Sequence, residues 1–149
     1  DVPGYGMQIA KGATALTESW AALPTVSNNH FMLGHLMEWF YSGLGGIRQD
    51  EGSIAWHKII IKPAIVGDLT FANTNYNSPY GLIATKWKKT GKDFEIEVTI
   101  PANTSATVYL PIKAGQTVTE SGNRLEKFDI EKESAMIKVG SGNYNFKVK

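Results

Sequence analysis

The stretch TESWAALPTVSNNHFMLGHLMEWF, Thr17 to Phe40, places Glu18, Trp20 and His30 around a short loop, with His35 and Glu38 further along. A carboxylate held at a loop can take a proton from an attacking water or give one to a leaving group. An imidazole beside it can donate or accept a hydrogen bond at neutral pH. An indole offers a flat apolar face with one N–H at its edge, which suits either a sugar ring or a protein core. Each residue also has an ordinary explanation. A Glu at a helix C-terminus is usually a solvated side chain, although the helix dipole disfavours it there. A His at a helix start is usually exposed or a neighbour of the cap. His35 and Glu38 sit on the body of the second helical segment and read as structural. The spacing of His30, His35 and His57 fits no familiar metal-ligand pattern, and no cofactor is expected.

The elements that position these side chains differ between the two parts of the chain. Before about residue 48, apolar residues recur at helical spacing. Tyr5, Ile9, Ala13 and Leu16 form one stripe, with Pro3 suited to a first turn, and the small residues among them predict a closely packed, largely buried helix. Asn28 or Asn29 can cap a second helix, Phe31 to Leu44, whose apolar side carries Leu33, Leu36, Phe40 and Leu44. Gly45-Gly46 would end it, since glycine tolerates positive φ. A helical hairpin of this kind, with a loop of roughly ten residues, is too apolar to stand alone.

After Arg48 the period becomes two. HKIIIKP, DLTFANTNY, GLIATKWKK, DFEIEVTIP, TSATVYLP and SAMIKVG…YNFKVK read as strands, separated by the turn signals NSPYG, KKTGKD, PANT and ESGNR. In DFEIEVTIP, Phe94, Ile96, Val98 and Ile100 alternate with Glu95, Glu97 and Thr99, the pattern of a strand with one buried face. Six to eight such strands with no helical period between them predict an antiparallel β-sandwich. The fold expected is therefore mainly β with a short α part, divided as residues 1–47 and 48–149.

The chain has 149 residues and a net charge of +1, and 42% of its residues are hydrophobic and 19% charged. These values suit a globular chain. Both signs are scattered along the sequence, so neither a nucleic acid nor a membrane surface is an expected partner. There is no Cys, which excludes disulfides, thiolate metal sites and a cysteine nucleophile. No apolar run approaches the ~20 residues of a membrane span. The start, DVPGYGMQIAKG, has no initiator Met and enters helix-like sequence at once, which reads as a piece of a longer chain.

The order GYGMQIAKGATALTESW, NNHFMLGHLMEWFYSGLGGIRQDE and WHKIIIKPAIVGDLTFANTNYNSPYGLIATKWKKTGKDFEIEVTIPANTSATVYLP resembles the C-terminal end of bacterial α-L-rhamnosidases. The resemblance runs from Gly4 to Pro111. Its specific pieces include Gly-Ala-Thr followed by Glu-x-Trp, the Asn-His that opens the last helix, and Glu-Trp-Phe-Tyr. Ile-Ile-Ile-x-Pro, Ser-Pro-Tyr-Gly-x-Ile and Ile-Pro-Ala-Asn-Thr follow. It implies an inverting glycosidase built on an (α/α)6 barrel, of which residues 1–47 are the last hairpin and 48–149 the following sandwich. It implies Glu18 as the general base and His30 as a sugar contact; Trp20 adds a candidate stacking surface. The general acid would lie in the missing N-terminal part of the barrel, so the chain alone should be inactive. Two departures stand out. The loop AALPTVS is short and uncharged where family members often have a longer one carrying Asp and Gly. Thr17 and Ser19 stand where the family often has a bulky residue and an Arg.

The partners implied are a rhamnose-containing glycan or glycoside and the missing part of the barrel, with self-association through the exposed hairpin. A periplasmic or extracellular place is favoured for the parent. The alternatives from other classes are a non-catalytic carbohydrate-binding sandwich, with Trp56, Tyr76, Tyr80, Trp87 and Tyr109 as candidate platforms, and a structural or interaction module that docks through its hairpin.

Overall fold

The computed structural model describes residues 3–149. The chain divides into two compact units, one ending at Trp39 and the other Phe40–Lys149. In the first, α1 spans Tyr5–Ala10 and stops well before Leu16. Lys11 and Gly12 end it, and Gly12 takes φ +75, a left-handed value that glycine adopts without a Cβ penalty. The small residues beyond add little helix propensity. The expected burial of this helix is not found, since Gln8 is its one buried residue and Ile9 is 73% exposed.

Residues 11–30 form irregular chain, about twice the loop expected. A 3-10 turn, Phe31–Gly34, and a short helix α2, His35–Trp39, follow. The residue at the start of this segment is His30, and no side chain caps it. The cap expected of Asn28 or Asn29 is therefore absent; instead the Asn29 amide donates to Ser27 Oγ at 3.4 Å.

The second unit opens with a π-type turn, Phe40–Leu44, closed by Gly45 N–H donating to Phe40 O at 2.9 Å. Helix ends leave carbonyls without intrahelical partners. Here five consecutive carbonyls each accept a bond from the strands and loops beyond. Arg48 Nε donates to Ser42 O at 2.7 Å, Trp87 Nε1 to Leu44 O at 2.8 Å and Thr85 Oγ1 to Gly45 O at 2.8 Å. The amides of Ala64 and Lys62 donate to Gly43 O and Gly46 O at 2.9 and 2.8 Å. The two glycines serve different needs. Gly46 has the positive φ expected, +72. Gly45 is needed for space, because a Cβ there would lie 2.4 Å from Thr74 Oγ1.

Eleven strands form two facing sheets among the described residues. One sheet has five strands in the order β1 (Ile47–Gln49), β2 (Lys58–Ile61), β6 (Ser105–Pro111), β10 (Ser134–Val139) and β9 (Asp129–Glu131). The other has six, ordered β3 (Phe71–Ser78), β4 (Gly81–Thr90), β5 (Asp93–Ile100), β11 (Gly142–Val148), β7 (Val118–Glu120) and β8 (Asn123–Arg124). Pairing is antiparallel throughout except between β2 and β6, where Ile59 lies beside Ala106 in parallel. A parallel pair needs a crossover, and the β3–β4–β5 meander of the opposite sheet supplies it.

The core lies between the sheets. Trp87, Ile83, Ile96, Val98 and Phe146 from one meet Ile59, Ile61, Val108 and Leu110 from the other. The alternation in β5 is borne out, with Phe94, Ile96, Val98 and Ile100 all buried.

Candidate functional site

Glu18 lies in the irregular segment after α1, on a loop folded back on itself by main-chain bonds. Leu16 O accepts from His30 N at 2.7 Å, and Glu18 N donates to Ser27 O at 2.8 Å. These bonds set Glu18 and His30 on the two facing sides of one closure, so two residues twelve apart in sequence share one small element. The reverse contact is made by the side chain, since Ser27 N–H donates to Glu18 Oε2 at 3.2 Å. Glu18 is exposed, and its Oε1 carries no hydrogen bond or ion pair among the described residues. One oxygen is thus oriented by a peptide amide while the other is open to a water or a substrate proton.

A small polar cluster backs the loop. Gln8 from α1 is 4% exposed, and its Nε2 donates to the carbonyls of Thr17 and Ser19 at 3.4 Å each. Thr17 is 1% exposed and its hydroxyl donates to Ser19 O at 2.6 Å. Lys11 Nζ donates to Ala21 O at 2.5 Å. The residues flanking Glu18 are therefore held by side chains reaching from the helix before them. Ser19 Oγ, out of solvent contact, has no partner among the described residues.

Trp20 is half-buried and meets the Tyr5 ring edge to face, with centroids 5.1 Å apart at 88°. The Tyr5 hydroxyl in turn donates to Leu33 O. The indole is thus packed on one side within its own unit. His30 is partly exposed, while His35 and Glu38 are exposed on α2. Gln8 was not singled out in the sequence, while Tyr5 was read only as part of an apolar stripe and Thr17 only as a departure from the family; a polar Gln8 within a segment expected to be buried was the signal that could have found the cluster.

In the second unit the five candidate aromatic platforms separate. Trp87 is wholly buried in the core. Trp56 packs on Tyr76 with ring centroids 4.4 Å apart at a tilt of 38°, and Tyr76 meets Tyr41 edge to face at 6.4 Å. Tyr80 is 38% exposed and meets His57. Tyr109 lies beneath Lys62 Nζ, 4.4 Å from the ring centre; burial first, then the charges of Glu131 and Asp50, raise its phenol above the ordinary range. No open row of rings results. Among the described residues there is no group of three or more His, Asp or Glu arranged to hold a metal, and no helix long and apolar enough to cross a membrane.

Residues 46–125 match the bacterial α-L-rhamnosidase C-terminal domain, and residues 1–44 match the six-hairpin glycosidase domain of the same enzymes. The chain belongs to the bacterial α-L-rhamnosidase family. It is 28% identical to an α-L-rhamnosidase of Streptomyces avermitilis, a match that covers 98% of this chain and 15% of that protein. A solved α-L-rhamnosidase from Dictyoglumus thermophilum superposes with a TM-score of 0.89 at 34% identity, covering 99% of this chain and 17% of that one. The Streptomyces avermitilis α-L-rhamnosidase complexed with L-rhamnose gives 0.86 at 28% identity, over 100% and 15%. The chain therefore spans about a sixth of these rhamnosidases, and its two matches are to the six-hairpin glycosidase domain and the C-terminal domain.

Proposed function

We propose that this chain forms part of an inverting α-L-rhamnosidase that releases terminal rhamnose from glycans or glycosides, with Glu18 as the general base. Inversion uses one protonated carboxyl on the leaving oxygen and one carboxylate that activates a water on the other face of the ring, about 6.5–9.5 Å apart. The observation that carries the reading is the state of the Glu18 carboxylate, with Oε2 fixed on the Ser27 amide and Oε1 unengaged and exposed. That is the arrangement a water-activating base requires. His30, across the closure, serves as a donor to a sugar hydroxyl, and Trp20 as an apolar wall of the subsite. The general acid comes from the part of the barrel outside this chain. We divide the chain functionally into residues 1–47, the barrel's last hairpin, and 48–149, the sandwich.

Glu18→Gln in the full-length enzyme tests the assignment with an aryl α-L-rhamnoside. It keeps the acceptor for the Ser27 amide but removes the base, so kcat should fall about 10²–10⁴-fold while KM changes little. A rate within a few-fold of the parent would remove Glu18 from the role. The 149-residue chain alone should give no turnover, and clear activity from it would overturn the two-carboxylate account.

A further inference from the structure

Four of the lysines scattered along the sequence come together at one end of the sandwich. At the end formed by the β4–β5 turn, the loop after β6, the β9–β10 turn and the last residues of β11, a cleft of about 740 Å³ opens between the two sheets. That is within the range of sites that hold small ligands, roughly 300–1,000 Å³. Lys89, Lys92, Lys113 and Lys149 line it, against the carboxylates of Asp93 and Glu133. None of the four lysine ammonium groups makes an ion pair among the described residues. The groove next to it, which shares Asp93, Phe94 and Lys149, adds Lys88 and the Lys147–Glu95 pair. Behind the lysines the lining is closed by Phe94 and Ile112, both buried in the core, and by Pro111.

The loops that carry the cations are clamped by main-chain atoms. The Gln116 side chain spans them, accepting from Lys113 N at 2.9 Å and donating to Lys92 O at 3.1 Å. Gly91 at φ +61 and Gly115 at φ +85 supply the left-handed turns. The lysine side chains take no part in this scaffold.

We propose that this cleft binds an anionic saccharide, with its carboxylate or sulfate groups held by the lysines. The choice of a saccharide rests on the glycosidase reading above, whereas the anion preference rests on the cleft itself. A nucleic acid fits less well, because the lining has no Arg and no exposed ring on which a base could stack.

The test is binding of tetragalacturonate to the 149-residue chain by calorimetry at low salt, with a neutral galactose tetrasaccharide and a single-stranded oligonucleotide alongside. Tetragalacturonate should bind, weaken as salt rises, and exceed the neutral sugar by about tenfold. The double variant Lys92→Gln/Lys113→Gln should lose about tenfold in affinity, with an unchanged circular dichroism spectrum. Lys138→Gln, on β10 away from the cleft, should not lose affinity. No binding, equal binding of the neutral sugar, tighter binding of the oligonucleotide, or equal loss with Lys138→Gln would each overturn the proposal. Turnover plays no part in the measurement, so failure here leaves the Glu18 assignment standing, and failure of Glu18 leaves the anion preference standing.

Discussion

Trp87→Phe should cost far more than the loss of a few ring atoms. The Trp87 ring is wholly buried, 6.2 Å from that of Phe94, and its indole N–H holds Leu44 O at 2.8 Å. Phenylalanine preserves the aromatic body but removes the donor. The Leu44 carbonyl then loses its side-chain partner, at a cost of about 1–3 kcal/mol if no water replaces it. The ring is also smaller by about 40 Å³, which adds roughly 1 kcal/mol at about 24 cal/mol per Å³ if the site does not collapse. Together these give a destabilisation of about 2–4 kcal/mol. Thr85→Val is a nearly isosteric companion that removes only the bond to Gly45 O, and it should cost about 1–2 kcal/mol. Because the two carbonyls are adjacent, the double variant should depart from additivity by about 0.5 kcal/mol or more. Urea unfolding followed by far-ultraviolet circular dichroism, with an unchanged m-value, measures all three. A loss below about 1 kcal/mol for Trp87→Phe would show that the carbonyl clamp contributes little, and the reasoning would fail.

Gly46→Ala should be worse still, above about 3 kcal/mol, because the residue has φ +72 and a Cβ would sit 2.2 Å from the Pro63 nitrogen; a folded variant within about 1 kcal/mol of the parent in urea unfolding would refute this. Lys147 at 3.0 Å, with Asn145, holds the Glu95 carboxyl below the ordinary carboxylate range. A depressed pKa adds stability above the unfolded value, and that addition is lost as pH falls through the folded value. Lys147→Met should therefore cost under about 1 kcal/mol at neutral pH, the pair being partly exposed, and converge with the parent below the folded pKa; a gap that widens on acidification would contradict it. The chain on its own should self-associate through Phe31, Met32, Leu36 and Met37, which are 84, 60, 38 and 55% exposed. Light scattering after size exclusion should show dimers or larger species that Met32→Glu/Met37→Glu returns to monomer, and a strict monomer for the parent chain would rule the association out.

The strands were legible where burial on one face imposes a strict alternation, as in β5 and β6, because that pattern is written locally. β1, β7, β8 and β9 were not. Each is only two or three residues long, too short for an alternation to show, and is defined by pairing across a turn, as Thr119 with Arg124 and Met136 with Asp129. The early end of α1 was missed because the apolar spacing continues through Ala13 and Leu16 while Gly12 leaves the helical region. Glu18 and His30 came from their motif. What the motif could not supply is the Ser27 amide on the carboxylate, or Gln8 reaching the backbone around it, since both depend on how residues 11–30 fold. The lysine cleft was hidden for the same reason: its four cations lie at the end of β4, on the β4–β5 turn, on the loop after β6 and just past β11, and only the sheet order brings them together.

The carbonyls of residues 42–46 also show why a sandwich follows directly on a helical element here. A helix that ends in a protein interior must find partners for its last carbonyls, and unpaired ones are costly. Water or a glycine cap could satisfy one or two. In this chain five successive carbonyls are satisfied by groups spread from Arg48 to Trp87, which come together only once the β1–β2 pair and β4 of the facing sheet are in place. The turn Phe40–Leu44 is therefore folded as part of the sandwich, although its residues match the six-hairpin domain. A cut between the two family matches, after Leu44, would separate the carbonyls of Ser42, Gly43 and Leu44 from their donors and leave the Trp87 indole N–H buried without its acceptor. The physical seam of the chain thus lies ahead of the helical turn.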